Sequence, residues 1–569
     1  MSLKIKIVSL IFLILFALVI VRLFTWQIIE GDELSNQARS QYTVDKSVSA
    51  PRGNILASDE SLLSARRQSW LLYIQVPDTK KSPEDIADKL APLLVEDSGD
   101  KGLVYDEAGR IKQLLSNKGS VWIPIKHKVS SEVKINIESL KIAGIGFEGE
   151  EDRYYPEASS AAHLLGFVGK NTEGEDTGYF GLEGYYNVPL SGKSGFYSGE
   201  KDAKGVPILL GNYRETSAIE GVNLVTNIDK TVQLILEKKL LDGIEKYGAK
   251  GGTAIIANPK TGAILGMSSY PSFEPQSYFN YGDSYFKNPA ISDTFEPGSV
   301  FKILVMAAAL DAGAVEPDTK CDICGGPLYV DKYTIETWNN KYFPESTMTD
   351  VIVHSDNVGM VFVGQKIGAE RLYEYLDKFG IGKQTGIDLQ GEVAAPLREK
   401  NSWNIVDLAT ASFGQGVAVT PIEMLKAASA IANKGKAFTP QVVNKLNGNG
   451  WEETIKPKYE QVISEDTANK ITAMMVEAAK SGESKWTNIL GFKVAGKTGT
   501  AQIPIKGHYD AEKTIASFIG FAPADDPKFI MLVTLKEPIT SPWASETAAP
   551  LWYSIARELF SYLKIQPEN

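Results

Sequence analysis

The sequence predicts an α+β protein. Its main part is an antiparallel sheet with helices packed on it, one of them buried, behind an N-terminal α+β module and one apolar helix of membrane length. Three observations predict this. Residues 7–21 form an apolar run interrupted only by Ser9. Residues 300–310 are apolar nearly all round a helix, and a helix without a polar face belongs inside a protein. Residues 514–521 and 529–535 read as paired strands joined by a Pro-Ala-Asp-Asp-Pro turn.

At 569 residues the chain is long for one domain, and two or three are expected. A composition of 43% hydrophobic and 23% charged residues supplies a large core and argues against disorder. The net charge of -11 is spread along the chain, with no Lys/Arg block, which argues against nucleic acid as a partner. The two cysteines form Cys321-Asp-Ile-Cys324. No βαβ pattern surrounds them, as a redox motif would need. A zinc site would require two more ligands, and the nearest histidine in sequence is His354. A local disulfide or two plain thiols is the expectation, with no metal.

Lys4 and Lys6 precede the apolar run, and Arg22 and Trp26 follow it. A bilayer core takes ~20 helical residues. Residues 5–26 reach that length if Arg22 snorkels and Trp26 sits at the interface. A cleaved signal peptide would need a small-x-small site soon after the run, and no convincing one follows. The leading lysines favour a cytoplasmic N-terminus. Residues 1–28 therefore read as a single-pass anchor in the inner (plasma) membrane, with the remainder on the extracytoplasmic side.

Residues 29–220 read as a module of short strands and helices. Helices are expected at 83–91, with Ser82 as N-cap and Pro83 in the first position, and at 130–140. A second module, 221–569, opens with a strand at 223–228 and an amphipathic helix at 230–247, with Val232, Leu234, Ile235, Leu240, Leu241 and Ile244 supplying its apolar face. Residues 253–257 and 263–267 form a hairpin around Asn258-Pro-Lys-Thr-Gly262. The buried helix opens at Pro297-Gly-Ser299 and stops near Gly313. A last helix spans 550–563.

Three short motifs carry chemistry. In Ser299-Val-Phe-Lys302, residues three apart on a helix are neighbours, so the amine reaches the hydroxyl. A free lysine titrates near ~10.4. Burial and a second nearby cation both push it towards neutrality, where it accepts a proton. Ser131-Glu-Val-Lys134 has the same spacing but lies on an ordinary surface helix. Ser355-Asp-Asn357 follows an apolar stretch on a turn, where such residues cluster by default. Its hydroxyl and amide suit a proton relay and a hold on the lysine. Lys497-Thr-Gly-Thr500 reads as a strand in which Gly499 keeps side-chain bulk away. A substrate backbone can add to such a strand, with the lysine and threonine hydroxyls on a carboxylate and a backbone N–H in an oxyanion hole. Lys260-Thr-Gly262 repeats the letters in a hairpin turn and is assigned no role.

Ser-x-x-Lys, Ser-Asp-Asn and Lys-Thr-Gly in this order resemble the motifs of the penicillin-recognising serine enzymes. Phe295-Glu-Pro-Gly-Ser299 and Asn357-Val-Gly359 look like septal, FtsI-type class B penicillin-binding proteins. Gly414-Gln-Gly416 and Val419-Thr-Pro421 are similar to class B transpeptidases. Pro51-Arg-Gly-Asn54, Arg153-Tyr-Tyr-Pro156, Gly166-Phe-Val-Gly169 and Gly181-Leu-Glu-Gly184 look like their N-terminal pedestal. The resemblance implies the penicillin-binding-protein and serine β-lactamase fold, an antiparallel sheet with helices on both faces, beside an α+β pedestal of the dimerisation type. It implies a peptidoglycan D,D-transpeptidase that cross-links stem peptides through a serine acyl-enzyme and releases D-Ala. Ser299 would be the nucleophile, Lys302 its base, Ser355 the proton shuttle and Asn357 a positioning group. Lys497, Thr498, Gly499 and Thr500 would bind substrate, and the N–H groups of Ser299 and Thr500 would form the oxyanion hole. No cofactor or metal is implied. The implied partners are nascent stem peptides, β-lactams as covalent inhibitors, and an FtsW-type polytopic glycan polymerase with other division proteins. Asp356 departs from the septal pattern, which more often has another small residue there. An elongation-type class B enzyme is the alternative. A β-lactamase would need a deacylating glutamate in a Glu-x-x-x-Asn setting after Ser355, which Glu392 and Glu399 do not provide. A glycosyltransferase-bearing enzyme would need a histidine soon after Glu151-Asp, where residue 158 is Ala. Complete catalytic motifs argue against a sensor or an inert scaffold.

Overall fold

A computed structural model describes residues 2–95, 97, 99–116, 120–200, 213–505 and 508–568. Contacts divide the chain into two units, Met1–Arg52 with Ser191–Gly221, and Gly53–Leu190 with Val222–Asn569.

The first unit contains α1 (Leu3–Phe24), whose apolar side chains are exposed on every side. Its winding loosens into a π-turn at Thr25–Ile29, giving 27 residues from Leu3 to Ile29. Among the described residues this is the one helix long and apolar enough to cross a bilayer. Arg22 lies over the Trp26 ring, 4.6 Å from its centroid. The unit also holds an antiparallel sheet of Thr43–Val48, Gly195–Glu200 and Tyr213–Thr216.

In the second unit, α2 (Lys230–Tyr247) starts where Asp229 accepts the N–H groups of Thr231 and Val232, and stops at Gly248 in the left-handed region. Its apolar stripe packs on a five-stranded antiparallel sheet. The strands are β1 (Gly251–Ala257), β2 (Ile264–Tyr270), β3 (Ala495–Ile505), β4 (His508–Ala522) and β5 (Phe529–Lys536), in the order β2-β1-β5-β4-β3. β3 is therefore an edge strand. The terminal helix, Ala548–Tyr562, shares the face with α2, burying Trp552 against Phe518 and Phe529. The opposite face carries α3 (Lys302–Asp311), α4 (Met348–Val353), α5 (Asn357–Ile367) and α6 (Glu465–Ser481) in one large core. α3 is buried from Lys302 to Leu310, as its lack of a polar face requires.

A second sheet of seven strands carries the N-terminal part of this unit. Asn223–Thr226 pairs in parallel with Ile55–Leu56 and antiparallel with Val443–Gly448, so chain from beyond residue 440 completes it. The helix Pro83–Leu94 is capped by Ser82 as expected, and Ser131–Ser139 is capped by Ser130. Three of the sequence motifs meet in one buried node. Arg153 donates to Glu183 at 2.6 Å and to the Gly53 carbonyl at 2.8 Å, while Ser64 donates to Glu183 at 3.2 Å. Cys321 and Cys324 form a disulfide.

Candidate active site

Ser299 sits on a 3-10 turn, Gly298–Phe301, that leads directly into α3. Gly298 has φ +54 and donates its N–H to the Gly414 carbonyl at 2.9 Å. A Cβ at Gly414 would fall 2.1 Å from the Gly298 oxygen, so this approach requires glycine. Glu296 accepts the Gly416 N–H at 3.1 Å, which locks the two glycine-bearing motifs together. In 3-10 geometry the side chains of residues three apart eclipse. Ser299 is half-buried, and Lys302, three residues on, is fully buried.

Ser355 lies between α4 and α5. A Thr347–Asp350 capping box starts α4, and Asp356 caps α5 by accepting the Gly359 N–H at 3.1 Å. The chain reverses at Ser355 with φ +55, a left-handed conformation. The reversal turns its carbonyl to the Lys302 amine, which donates to Ser355 O at 2.6 Å and to Asn357 Oδ1 at 2.7 Å. The Nζ–Oγ distance to Ser355 is 3.4 Å. Asn357 is held in turn by its Nδ2 donating to the Glu336 carbonyl at 2.9 Å.

β3 brings the third motif. Lys497 donates to Ser355 Oγ at 2.9 Å, to the Thr498 carbonyl at 3.1 Å and to Thr498 Oγ1 at 3.3 Å. Thr498 Oγ1 donates to Glu483 at 2.9 Å. Thr500 Oγ1 accepts the Ala544 N–H at 3.0 Å, which leaves its own O–H to donate. A Cβ at Gly499 would lie 2.8 Å from Val300 Cγ1 and 3.0 Å from the Pro297 carbonyl. The strand thus lies directly against the Ser299 turn. Residues 299, 302, 355, 357 and 497–500 form one constellation.

Burial, and then the charge of Lys497, push the Lys302 amine down to about 7, against the opposing pull of Glu483 and Asp356. Burial also lowers Lys497, and Glu483 opposes it. Near neutral pH a substantial share of Lys302 is uncharged and able to take a proton from an alcohol.

Sequence reasoning missed three contributors. Glu483 lies 15 positions before Thr498, the Glu336 carbonyl acts through main chain, and the paired Trp338 and Trp543 rings meet at a tilt with centroids 5.3 Å apart. Trp338 donates to the carbonyl of His354, beside Ser355, at 3.3 Å, and Trp543 precedes Ala544, which binds Thr500. None has a motif to mark it. The look-alike motifs lie elsewhere. Lys134 covers the Trp70 ring at 3.4 Å, and Lys260 pairs with Asp526 in its hairpin turn. Lys506 and Gly507, within the stretch 503–513, lie outside the described residues.

The family model described as penicillin binding protein transpeptidase domain matches residues 252–560, and that for the penicillin-binding protein dimerisation domain matches 47–226. Stage V sporulation protein D of Bacillus subtilis (strain 168) is 33% identical over 98% of this chain and 85% of its own length. A peptidoglycan D,D-transpeptidase FtsI homolog of Mesostigma viride is 30% identical over 97% of this chain and 94% of its own. The crystal structure of penicillin binding protein 2X from Streptococcus thermophilus matches with a TM-score of 0.74 at 25% identity, covering 92% of this chain and 80% of that one.

Proposed function

The chain belongs to the class B penicillin-binding proteins, the peptidoglycan D,D-transpeptidases, and from that premise we propose how its residues divide the reaction. Ser299 Oγ attacks the penultimate D-Ala carbonyl of a donor stem peptide while its proton passes to Lys302 Nζ. The backbone N–H groups of Ser299 and Thr500 take the oxyanion. The intermediate collapses as the terminal D-Ala amine leaves with a proton delivered through Ser355, and an ester on Ser299 remains. An amine of a neighbouring stem attacks that ester, gives up a proton to Lys302, and forms the cross-link as Ser299 is restored. Lys497, Thr498 and Thr500 bind the donor carboxylate, and Gly499 lets the peptide lie along β3 as an added strand. The observation that carries this reading is the buried Lys302 amine, held by Ser355 O and Asn357 Oδ1 one turn from Ser299.

The proposed organisation is an anchor at 1–28, a pedestal at 29–220 and a transpeptidase domain at 221–569. The N-terminus is cytoplasmic and the catalytic part extracytoplasmic, as Lys4 and Lys6 in the first turns of α1 favour. Phe295-Glu-Pro and Asn357-Val-Gly support a septal role with an FtsW-type polymerase and other division proteins as partners. The identity to a stage V sporulation protein favours a second reading, in which the same chemistry serves spore formation. Imaging a tagged chain in dividing and in sporulating cells separates the two. The chemistry is tested with purified full-length protein and a pentapeptide donor. Wild type releases D-Ala, and penicillin treatment leaves a covalent adduct on the Ser299 peptide. Ser299→Ala does neither, and equal labelling of both proteins would remove the nucleophile assignment.

A further inference from the structure

Two amines converge on one hydroxyl. Lys302 Nζ is 3.4 Å and Lys497 Nζ 2.9 Å from Ser355 Oγ, and both side chains are buried. Two ammonium ions so placed repel each other strongly, so the site favours one charge over two. Hydrogen bonding alone does not separate them. An ammonium has three donors and no acceptor, whereas a neutral amine has two donors and a lone pair. Lys497 directs bonds to three oxygens, Ser355 Oγ, Thr498 O and Thr498 Oγ1. Lys302 likewise directs bonds to three, Ser355 O at 2.6 Å, Asn357 Oδ1 at 2.7 Å and Ser355 Oγ at 3.4 Å.

Two buried lysines alone do not dictate which keeps the proton. Glu483, half-buried just beyond α6, breaks the symmetry. Its Oε2 accepts the Thr498 hydroxyl, whose oxygen accepts from Lys497. The carboxylate is therefore one hydroxyl away from Lys497, and reaches Lys302 only beyond Lys497 and Ser355. The other nearby acids are engaged elsewhere, Asp356 with the Gly359 N–H and Glu296 with the Gly416 N–H.

We propose that Glu483 is a positioning residue that fixes the positive charge of the site on Lys497 and so leaves Lys302 free to take the proton of Ser299. This rests on Ser299 as the nucleophile. The charged groups facing the pair are Lys302 from α3, Asp356 from the turn before α5, Lys497 from β3 and Glu483 from the segment after α6. Glu483 holds Lys497 up against burial. It also raises Lys302, but less than Lys497 depresses it. Without Glu483, Lys497 yields its proton, its repulsion vanishes, and the charge settles on Lys302.

The test follows acylation by fluorescent penicillin against pH in full-length wild type, Glu483→Gln and Glu483→Asp. The rising limb of the Gln variant moves about one pH unit to the alkaline side, a tenfold rate loss on the acid side. Its alkaline plateau stays near wild type, and Glu483→Asp shifts less than Gln. An unmoved limb, an acid shift, or a fallen plateau without a shift overturns the proposal, as does a Gln variant that no longer folds. A wild type that does not label at Ser299 defeats the nucleophile assignment itself, which is distinct from a labelled wild type with an unmoved variant limb.

Discussion

The Lys302 amine and the Asn357 carboxamide meet at 2.7 Å across 55 positions of sequence, which ties the start of α3 to the start of α5. The bond holds the Lys302 amine in place, and the same burial that shelters it sets its affinity for a proton.

With Lys302 held at about 7, acylation should depend on pH in a definite direction. The amine acts as a base only without its proton, so the rate rises through about 7 and levels above it. On the acid side it falls about tenfold per pH unit. Lys302→Arg, protonated throughout, loses the limb and acylates orders of magnitude more slowly. Lys134→Ala, whose amine covers Trp70, keeps the wild-type profile. Penicillin labelling rates across pH check all three.

Gly499→Ala should impair catalysis more than folding. The new Cβ meets Val300 Cγ1 at 2.8 Å, Ser517 Oγ at 2.7 Å and the Pro297 carbonyl at 3.0 Å, so the buried Val300 side chain and the Pro297 backbone, on either side of Ser299, are pressed to shift. A displacement near 1 Å costs on the order of 10²-fold in rate. Acylation rates beside thermal unfolding of the same samples provide the check, and an unchanged rate would mean that β3 does not set the position of Ser299.

Glu183→Ala should do the reverse. The Arg153–Glu183 pair has side-chain exposures of 4% and 0%, so removing the acid strands a buried guanidinium. The expected loss is about 3–5 kcal/mol. Denaturant unfolding measures it, while the penicillin labelling of the remaining folded fraction stays at the wild-type level.

The three motifs of the candidate site were legible because each is local. The spacing from Ser299 to Lys302 is helical, Asp356 and Asn357 begin a helix, and Gly499 lies in a strand. The apolar character of 300–310 already required a buried helix. Glu483 was not legible, since nothing in its neighbourhood says that the chain after α6 returns to Thr498. Nor was the pairing of Val443–Gly448 with Asn223–Thr226, because periodicity reveals a strand but not its partner. The node at Arg153 is intermediate. Its motifs stood out, yet only the fold brings residues 53, 153 and 183 into one contact.

The left-handed backbone of Ser355 has a consequence for inheritance. A side chain in that conformation costs roughly 1–2 kcal/mol that glycine would not. The position therefore opposes stability to chemistry, since the residue that would relax the chain lacks the hydroxyl on which both lysines converge. A descendant released from making cross-links would gain by drifting to glycine there.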